Sequence, residues 1–176
     1  MDCRDIVEIS ANELPTLDTI SQVVQDDGAG ATTTFSGTTR DTFEDKAVIE
    51  LEYEAYVPMA KKVLTELIRE ARNKWNLKHI AIYHRTGIVP VGKVSVVIAT
   101  SSTHRVDSMD AARYLIDELK NRCPIWKREF PVFHSAPTWT LLERRFWSNV
   151  DGSFIFLGQF LARRFPSAAV VQFALI

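Results

Sequence analysis

After Pro58 an apolar residue recurs at every fourth position, Met59, Val63, Leu67, Ala71 and Trp75, with Leu64 and Ile68 beside them. Proline is tolerated in the first turn of a helix, where its missing N–H would have no partner, and is excluded from later turns. The run therefore reads as a long helix opened by Pro58, and its single apolar stripe needs a sheet to lie on. The opposite face carries Lys61, Lys62, Glu66, Arg69, Glu70 and Arg72 and reads as solvated. Strands to receive the helix flank it. Residues 48–56 alternate, with Glu50, Glu52 and Glu54 on one face of a half-buried strand. Residues 80–84 and 94–100 read as two more strands, joined by a loop carrying Gly87, Pro90 and Gly92. The second of these is nearly all apolar, which puts it in the middle of a sheet.

Earlier in the chain, residues 5–10 alternate like a short strand and residues 17–24 read as a short helix ending near Gly28 and Gly30. Threonine-rich residues 31–36 suit a strand that stops at Gly37. Asp107 or Ser108 can cap a second long helix that buries Ala112, Leu115, Ile116 and Leu119 and must end by Pro124. The sum is a mixed α/β domain, two long helices against a sheet.

The totals narrow the function. A formal net charge of −1 over 176 residues excludes a general nucleic-acid binder, so any anion site is local. Cys3 and Cys123 are the only cysteines, far apart, and His79, His84, His104 and His134 are too scattered for a zinc pattern. The start of the chain has neither the basic residues nor the apolar run of a secretory leader, and the expected location is the cytosol.

Three segments carry candidate chemistry. Lys120, Arg122, Lys127, Arg128 and Glu129 straddle Pro124, so the first cations sit on the last helical turn and the others on the extended segment leaving it. Such a corner can aim two lysines at one small volume, which suits a phosphorylated substrate or a carbonyl-bearing chain end; a basic helix terminus favoured by the helix dipole is the plainer alternative. Residues 35–40 join Gly37 and hydroxyls to Arg40, and an arginine grips phosphate through two hydrogen bonds. Residues 101–105 bring His104 and Arg105 to the end of the most apolar strand, where ligands of α/β folds commonly bind.

Taken in order, Phe-Ser-Gly-Thr-Thr-Arg (35–40), Leu-Glu-Tyr-Glu-Ala-Tyr (51–56), His-Arg-Thr-Gly (84–87), Ser-Thr-His-Arg (102–105) and Leu-Lys-Asn-Arg-Cys-Pro-Ile-Trp-Lys-Arg-Glu (119–129) resemble the family of large, catalytic subunits of molybdopterin synthase. The resemblance is strongest over residues 30–129. It implies an α/β-hammerhead fold with two long helices on a mixed, mostly antiparallel sheet. It also implies a homodimer of large subunits within a heterotetramer, with a ubiquitin-like small subunit at each end that inserts a C-terminal thiocarboxylate. The implied reaction is sulfur transfer to cyclic pyranopterin monophosphate, a pterin phosphate, giving the dithiolene of molybdopterin in molybdenum cofactor biosynthesis. The implied sulfurtransferase needs no metal and no other cofactor. Carried over, Lys120 and Lys127 are the catalytic lysines; Arg40, His104, Arg105, Arg128 and Glu129 join them in binding substrate. Cys123 is given no role. A non-catalytic module that grips a ubiquitin-like tail or a phosphorylated ligand is the alternative.

Beyond Glu129 the likeness weakens. Trp139 stands for a tryptophan of the family, but Glu143 falls where a basic residue that reaches the neighbouring subunit is expected, with Arg144 one place later. Residues 1–147 thus form the expected large-subunit domain, and 148–176 an apolar extension with no counterpart in the family and no run near the roughly 20 residues a membrane span requires. A lineage-specific extension and a misread exon boundary both account for it. The second predicts that deleting 148–176 leaves folding intact and raises the soluble yield, and loss of soluble protein on that deletion refutes it.

Overall fold

The apolar run ending at Ser102 is the interior of a sheet, as its composition requires. The structure, a computed structural model, describes residues 3–43, 46–131 and 173–175. In chain order its elements are β1 (Asp5–Ser10), α1 (Leu17–Val23), β2 (Ala31–Thr38), β3 (Thr42–Phe43), β4 (Lys46–Ala55), α2 (Val57–Lys74), β5 (Leu77–Arg85), β6 (Gly87–Pro90), β7 (Val94–Ser102), α3 (Arg105–Arg122), β8 (Ile125–Pro131) and β9 (Phe173–Leu175). Four strands form a first sheet in the order β1-β5-β7-β2, in which only β1 and β5 run parallel. Its two central strands are apolar on both faces because both faces are covered. Ile80, Ile82, Val96 and Ile98 meet the core shared with α2 and α3, while Ala81, Tyr83, Val97 and Ala99 pack with Ile20 and Val24 at α1. A second, antiparallel sheet is built on β4, which pairs with β3, β6 and β8, and β9 pairs with β8. This is an α+β fold, with two long helices on mixed, largely antiparallel sheets.

Helix α2 starts one residue before Pro58, which sits in its first turn. Its buried residues are Ala60, Leu64, Leu67, Ile68 and Ala71, whereas Met59 is 48% exposed and Val63 and Trp75 only flank the core. A strict four-residue row drifts by about 40° per step around a helix of 3.6 residues per turn. The straight face toward the sheet therefore mixes steps of three and four. Helix α3 buries Ala112, Leu115, Ile116 and Leu119 as expected, but neither Asp107 nor Ser108 is its cap. The helix begins earlier, after His104, and Ser108 is fully buried, its hydroxyl reaching the Thr100 carbonyl at 3.0 Å and Thr33 Oγ1 at 2.7 Å. A serine mid-helix can dock on a sheet through hydroxyls when the strands below also carry them.

The two long helices are clamped to each other. Glu70 of α2 accepts from the Arg122 guanidinium at 2.8 and 3.0 Å and from the Tyr114 hydroxyl. The arginine first, and then the phenol, hold this carboxylate well below its usual range, at about 2. Two further differences from the sequence reading concern strands. The loop expected around Pro90 contains β6, too short to leave a periodicity, bracketed by Gly87 and Gly92 at φ of 76° and 78°. Strand β2 runs through Gly37 to Thr38 instead of stopping there.

Of the 148–176 extension, only β9 is described, antiparallel to Trp126, Lys127 and Arg128 of β8. Deleting 148–176 therefore also removes a backbone partner from the strand that carries Lys127. The boundary at 147 and the residues Trp139, Glu143 and Arg144 lie outside the described residues. Among the described residues no helix is long and apolar enough to cross a membrane.

The face of α2 can be tested directly. Leu64→Ala, at a site with no exposure, is expected to cost about 2–5 kcal/mol in denaturant unfolding. Met59→Ala is expected to stay within about 0.5 kcal/mol. Equal losses would mean that the four-residue row, not the observed face, meets the sheet.

Candidate functional site

The corner at Cys123 and Pro124 decides where the cations go. Cys123 and Ile125 are both fully buried, and Pro124, lacking an N–H, ends α3 while its carbonyl accepts from Tyr56 N at 3.3 Å. Lys120 is left on the last turn of α3, and β8 starts immediately beyond the corner. Side chains alternate along a strand. Lys127 and Glu129 therefore share the face of buried Ile125, and Trp126 and Arg128 take the other.

On that face lies a cavity of about 590 Å³, between the β2–β7 edge of the first sheet and strands β3, β4 and β8 of the second. Lys120, Lys127, Glu129 and Arg40 line it together with Gly37, Tyr53 and Ser95, and Phe35, Phe43, Val48 and Leu51 supply an apolar wall. The size suits a small ligand or a chain end. Lys127 is held from two sides: its Nζ is 2.7 Å from Glu129 Oε1 and 4.9 Å from the centre of the Phe43 ring. Lys120 is exposed and has no ion-pair or hydrogen-bond partner among the described residues. Three cations against one carboxylate leave the cavity an excess of positive charge, in a wall half built of hydrocarbon. It can hold an anion and stabilise negative charge developing on a carbonyl oxygen.

Four of the seven residues expected at the site, Arg40, Lys120, Lys127 and Glu129, thus meet in one cavity. Arg128 lies on the far side of β8, paired with Glu52 at 2.9 Å and Glu54 at 3.3 Å. His104 and Arg105 are exposed at the opposite end of α3, and at 1.5 Å per residue the helix carries them roughly 24 Å from Lys120. They do not line the cavity. Cys123 is turned into the core, 3.8 Å from the Ala60 carbonyl, and burial pushes its thiol up to about 12. Among the lining residues that the sequence reading did not select are Tyr53 and Ser95. Tyr53 lay in view, on the face of its strand opposite the three glutamates. Ser95 carried no signal at all, because it becomes part of the site only through the pairing of β7 with β2.

Residues 9–122 match the family model described as MoaE protein. The chain is 44% identical over 146 residues to the molybdopterin synthase catalytic subunit of Homo sapiens, covering 83% of this chain and 76% of that one. It is 56% identical over 111 residues to the subunit of the same name from Arabidopsis thaliana, covering 63% of this chain and 55% of that one. Among solved structures, molybdopterin synthase from Staphylococcus aureus is similar with a TM-score of 0.67 at 33% identity, over 71% of this chain and 90% of that one. A complex of subunits 1 and 2 of molybdopterin-converting factor from Helicobacter pylori has a TM-score of 0.57 at 21% identity, over 72% of this chain and 83% of that one, a likeness of fold.

The two thiols provide a check on the site that needs no substrate. Cys3 is exposed and Cys123 buried, and only the thiolate attacks an alkylating reagent. Native protein at pH 8 is expected to react rapidly at Cys3 alone and at both thiols after denaturation. Rapid modification of two thiols in the native state would contradict the closed corner at Cys123.

Proposed function

This chain belongs to the MoaE family, that of molybdopterin synthase catalytic subunits, and from that premise we propose that its lysine cavity moves sulfur from a thiocarboxylated chain end to cyclic pyranopterin monophosphate. The coarser statement, an enzyme acting in sulfur transfer, follows from the family. The observation that carries the finer one is the pairing of Lys120 with Lys127 in a single cavity that also holds Arg40. The thiocarboxylate sulfur bonds to a pterin carbon and displaces an oxygen there, leaving the chain end joined to the pterin as a thioester. Water then attacks the acyl carbon and puts negative charge on the acyl oxygen; the acyl C–S bond breaks, the sulfur stays on the pterin and the tail leaves as a carboxylate. Lys120, with no carboxylate partner among the described residues, is available to stabilise that oxygen. Lys127 is steadied by Glu129 and Phe43 and serves to orient the pterin phosphate, with Arg40 as the second grip on its phosphate.

The thiocarboxylate arrives on a ubiquitin-like small subunit. The Helicobacter pylori structure of like fold is a complex of two subunits of molybdopterin-converting factor, which supports a second subunit as partner. His104 and Arg105 then serve the site of a second copy of the chain. What supports this is distance: a helix length separates them from Lys120 within one chain, and a two-fold dimer with its α3 helices antiparallel would bring the start of one beside the end of the other. Arg128, tied to Glu52 and Glu54, acts on the site through the strand it holds.

The test mixes purified chain, thiocarboxylated small subunit and cyclic pyranopterin monophosphate and follows the dithiolene product by fluorescence of its oxidised derivative. Lys120→Ala is expected to abolish product while the small subunit still binds. Lys120→Ala and Arg105→Ala chains, each inactive alone, are expected to recover about a quarter of wild-type turnover when refolded together, since random pairing makes half the dimers mixed and each mixed dimer carries one intact site. No recovery, with mixed dimers present, would return Arg105 to its own chain's site, and full activity of Arg105→Ala alone would remove it from the reaction. A stable complex that never turns over would favour a binding module.

A further inference from the structure

We propose that Tyr53, Ser95 and His84 are positioning residues that set the separation of the two walls of the lysine cavity; this rests on the sulfur-transfer reading and deepens it. The walls belong to different sheets. Arg40 lies just beyond β2 at the edge of the first sheet, and Lys127 and Glu129 come from β8 in the second. A ligand gripped by both walls is held in reacting geometry only if the gap between them is fixed to well under an ångström or two.

A chain of hydrogen bonds crosses that gap. Tyr53 is paired with Lys127 in the β4–β8 ladder. Its hydroxyl donates to Ser95 Oγ at 3.3 Å, and Ser95 Oγ donates to the Gly37 carbonyl at 3.2 Å. A serine has one proton to give. With that proton committed to Gly37, the phenol must donate, so the Tyr53 hydroxyl is a strut between the two sheets.

The place where the strut lands is singular. In the β2–β7 ladder Gly37 pairs with Val96 and Thr38 with Val94, so Ser95 is the residue the ladder skips. The extra residue is on β7, so β7 is the strand that bends here. Across the ladder, Arg40 follows Gly37 of the partner strand by three residues. A Cβ at Gly37 would sit 2.7 Å from Val96 Cγ1, so any other residue there would force Val96 to move. The Ser95 hydroxyl supplies the carbonyl of Gly37 with a donor at the point where the ladder register breaks.

His84 accounts for the third part. Its ring meets the Tyr53 ring edge-on, 5.3 Å between centres at 76°. It is fully buried; Nδ1 lies 2.8 Å from the Arg85 carbonyl and so carries the proton, and Nε2 has no hydrogen-bond partner among the described residues. Burial lowers its pKa to about 4, so the ring is neutral in use. A buried acceptor left bare is a cost to stability that a leucine there would avoid. A flat, rigid ring that fixes the tilt of Tyr53 is what the cost provides, and it gives the His84-Arg85-Thr86-Gly87 motif a part in the site although none of it lines the cavity.

The experiment measures kcat, KM for the pterin phosphate and affinity for the small subunit in Tyr53→Phe, Ser95→Ala, the double variant and Ser95→Thr. Tyr53→Phe keeps the ring against His84 and removes only the strut. It is expected to lower kcat/KM for the pterin about tenfold, with small-subunit affinity unchanged. The double variant is expected to be no worse than Ser95→Ala, because both break one chain, and Ser95→Thr, which keeps the hydroxyl, to recover most of the loss. A lower melting temperature with unchanged kinetics would make the trio mere packing and overturn the inference, as would additive losses in the double variant. Calorimetric binding of cyclic pyranopterin monophosphate reads the same gap without turnover. Wild-type binding that Tyr53→Phe does not weaken sinks the inference alone; wild-type protein that neither binds nor turns over sinks the sulfur-transfer reading with it.

Discussion

The break between α3 and β8 is the constraint on which the rest of the site depends. Helix α3 is laid on the first sheet by Ala111, Leu115 and Leu119, and β8 is zipped to β4 in the second. Between them the chain has only Cys123 and Pro124 in which to change direction. Cys123 is buried against α2, Pro124 cannot extend the helix, and Ile125 is buried again as β8 begins. The corner is thus held by the core on both sides. Had the helix continued, Lys120 and Lys127 would lie on one face about 10 Å apart along its axis. Turned at Pro124, they approach the same cavity from different elements.

Once the corner is set, the protein's own carboxylates decide which cations remain for a ligand. Arg122 is taken by Glu70 and Glu118, and with Tyr114 ties α2 to α3. Arg128 is taken by Glu52 and Glu54, two of the three glutamates that alternate along β4. Lys127 is shared between Glu129 and the face of Phe43. Lys120 and Arg40 line the cavity without such a partner among the described residues. A stretch that looks uniformly basic on paper therefore divides into structural ion pairs on the outside and a cavity within that carries excess positive charge. The division follows from strand alternation, which sends Lys127 and Arg128 to opposite faces.

Where neighbours along the chain sufficed, the reading from sequence was close. Strand β1 has the expected limits, α1 falls within the residues read as a short helix, α3 buries the residues its spacing selects, and β7 is interior. The errors fall where a decision belonged to another part of the chain. Ser108 looked like a cap because serine caps helices, yet Thr33 and Thr100 below it supply hydroxyl partners that draw it inward. Met59 looked like core, and the angle at which α2 lies on its sheet turned it out. Strand β6 is defined by β4 alone, since four residues ending in proline have no pattern of their own.

The same boundary runs through the site. Residue type, the proline corner and a period of two were enough to draw Lys120, Lys127 and Glu129 toward one place, because the groups are separated by fewer than ten residues and local geometry governs them. That Arg40 joins them, that His104 and Arg105 stand a helix length away, and that Tyr53 reaches Ser95 across 42 residues were decided only by the way the two sheets pair and meet. Sequence determines the directions in which side chains leave their own elements; the distances between elements are set by packing and ladder register, which no local pattern encodes.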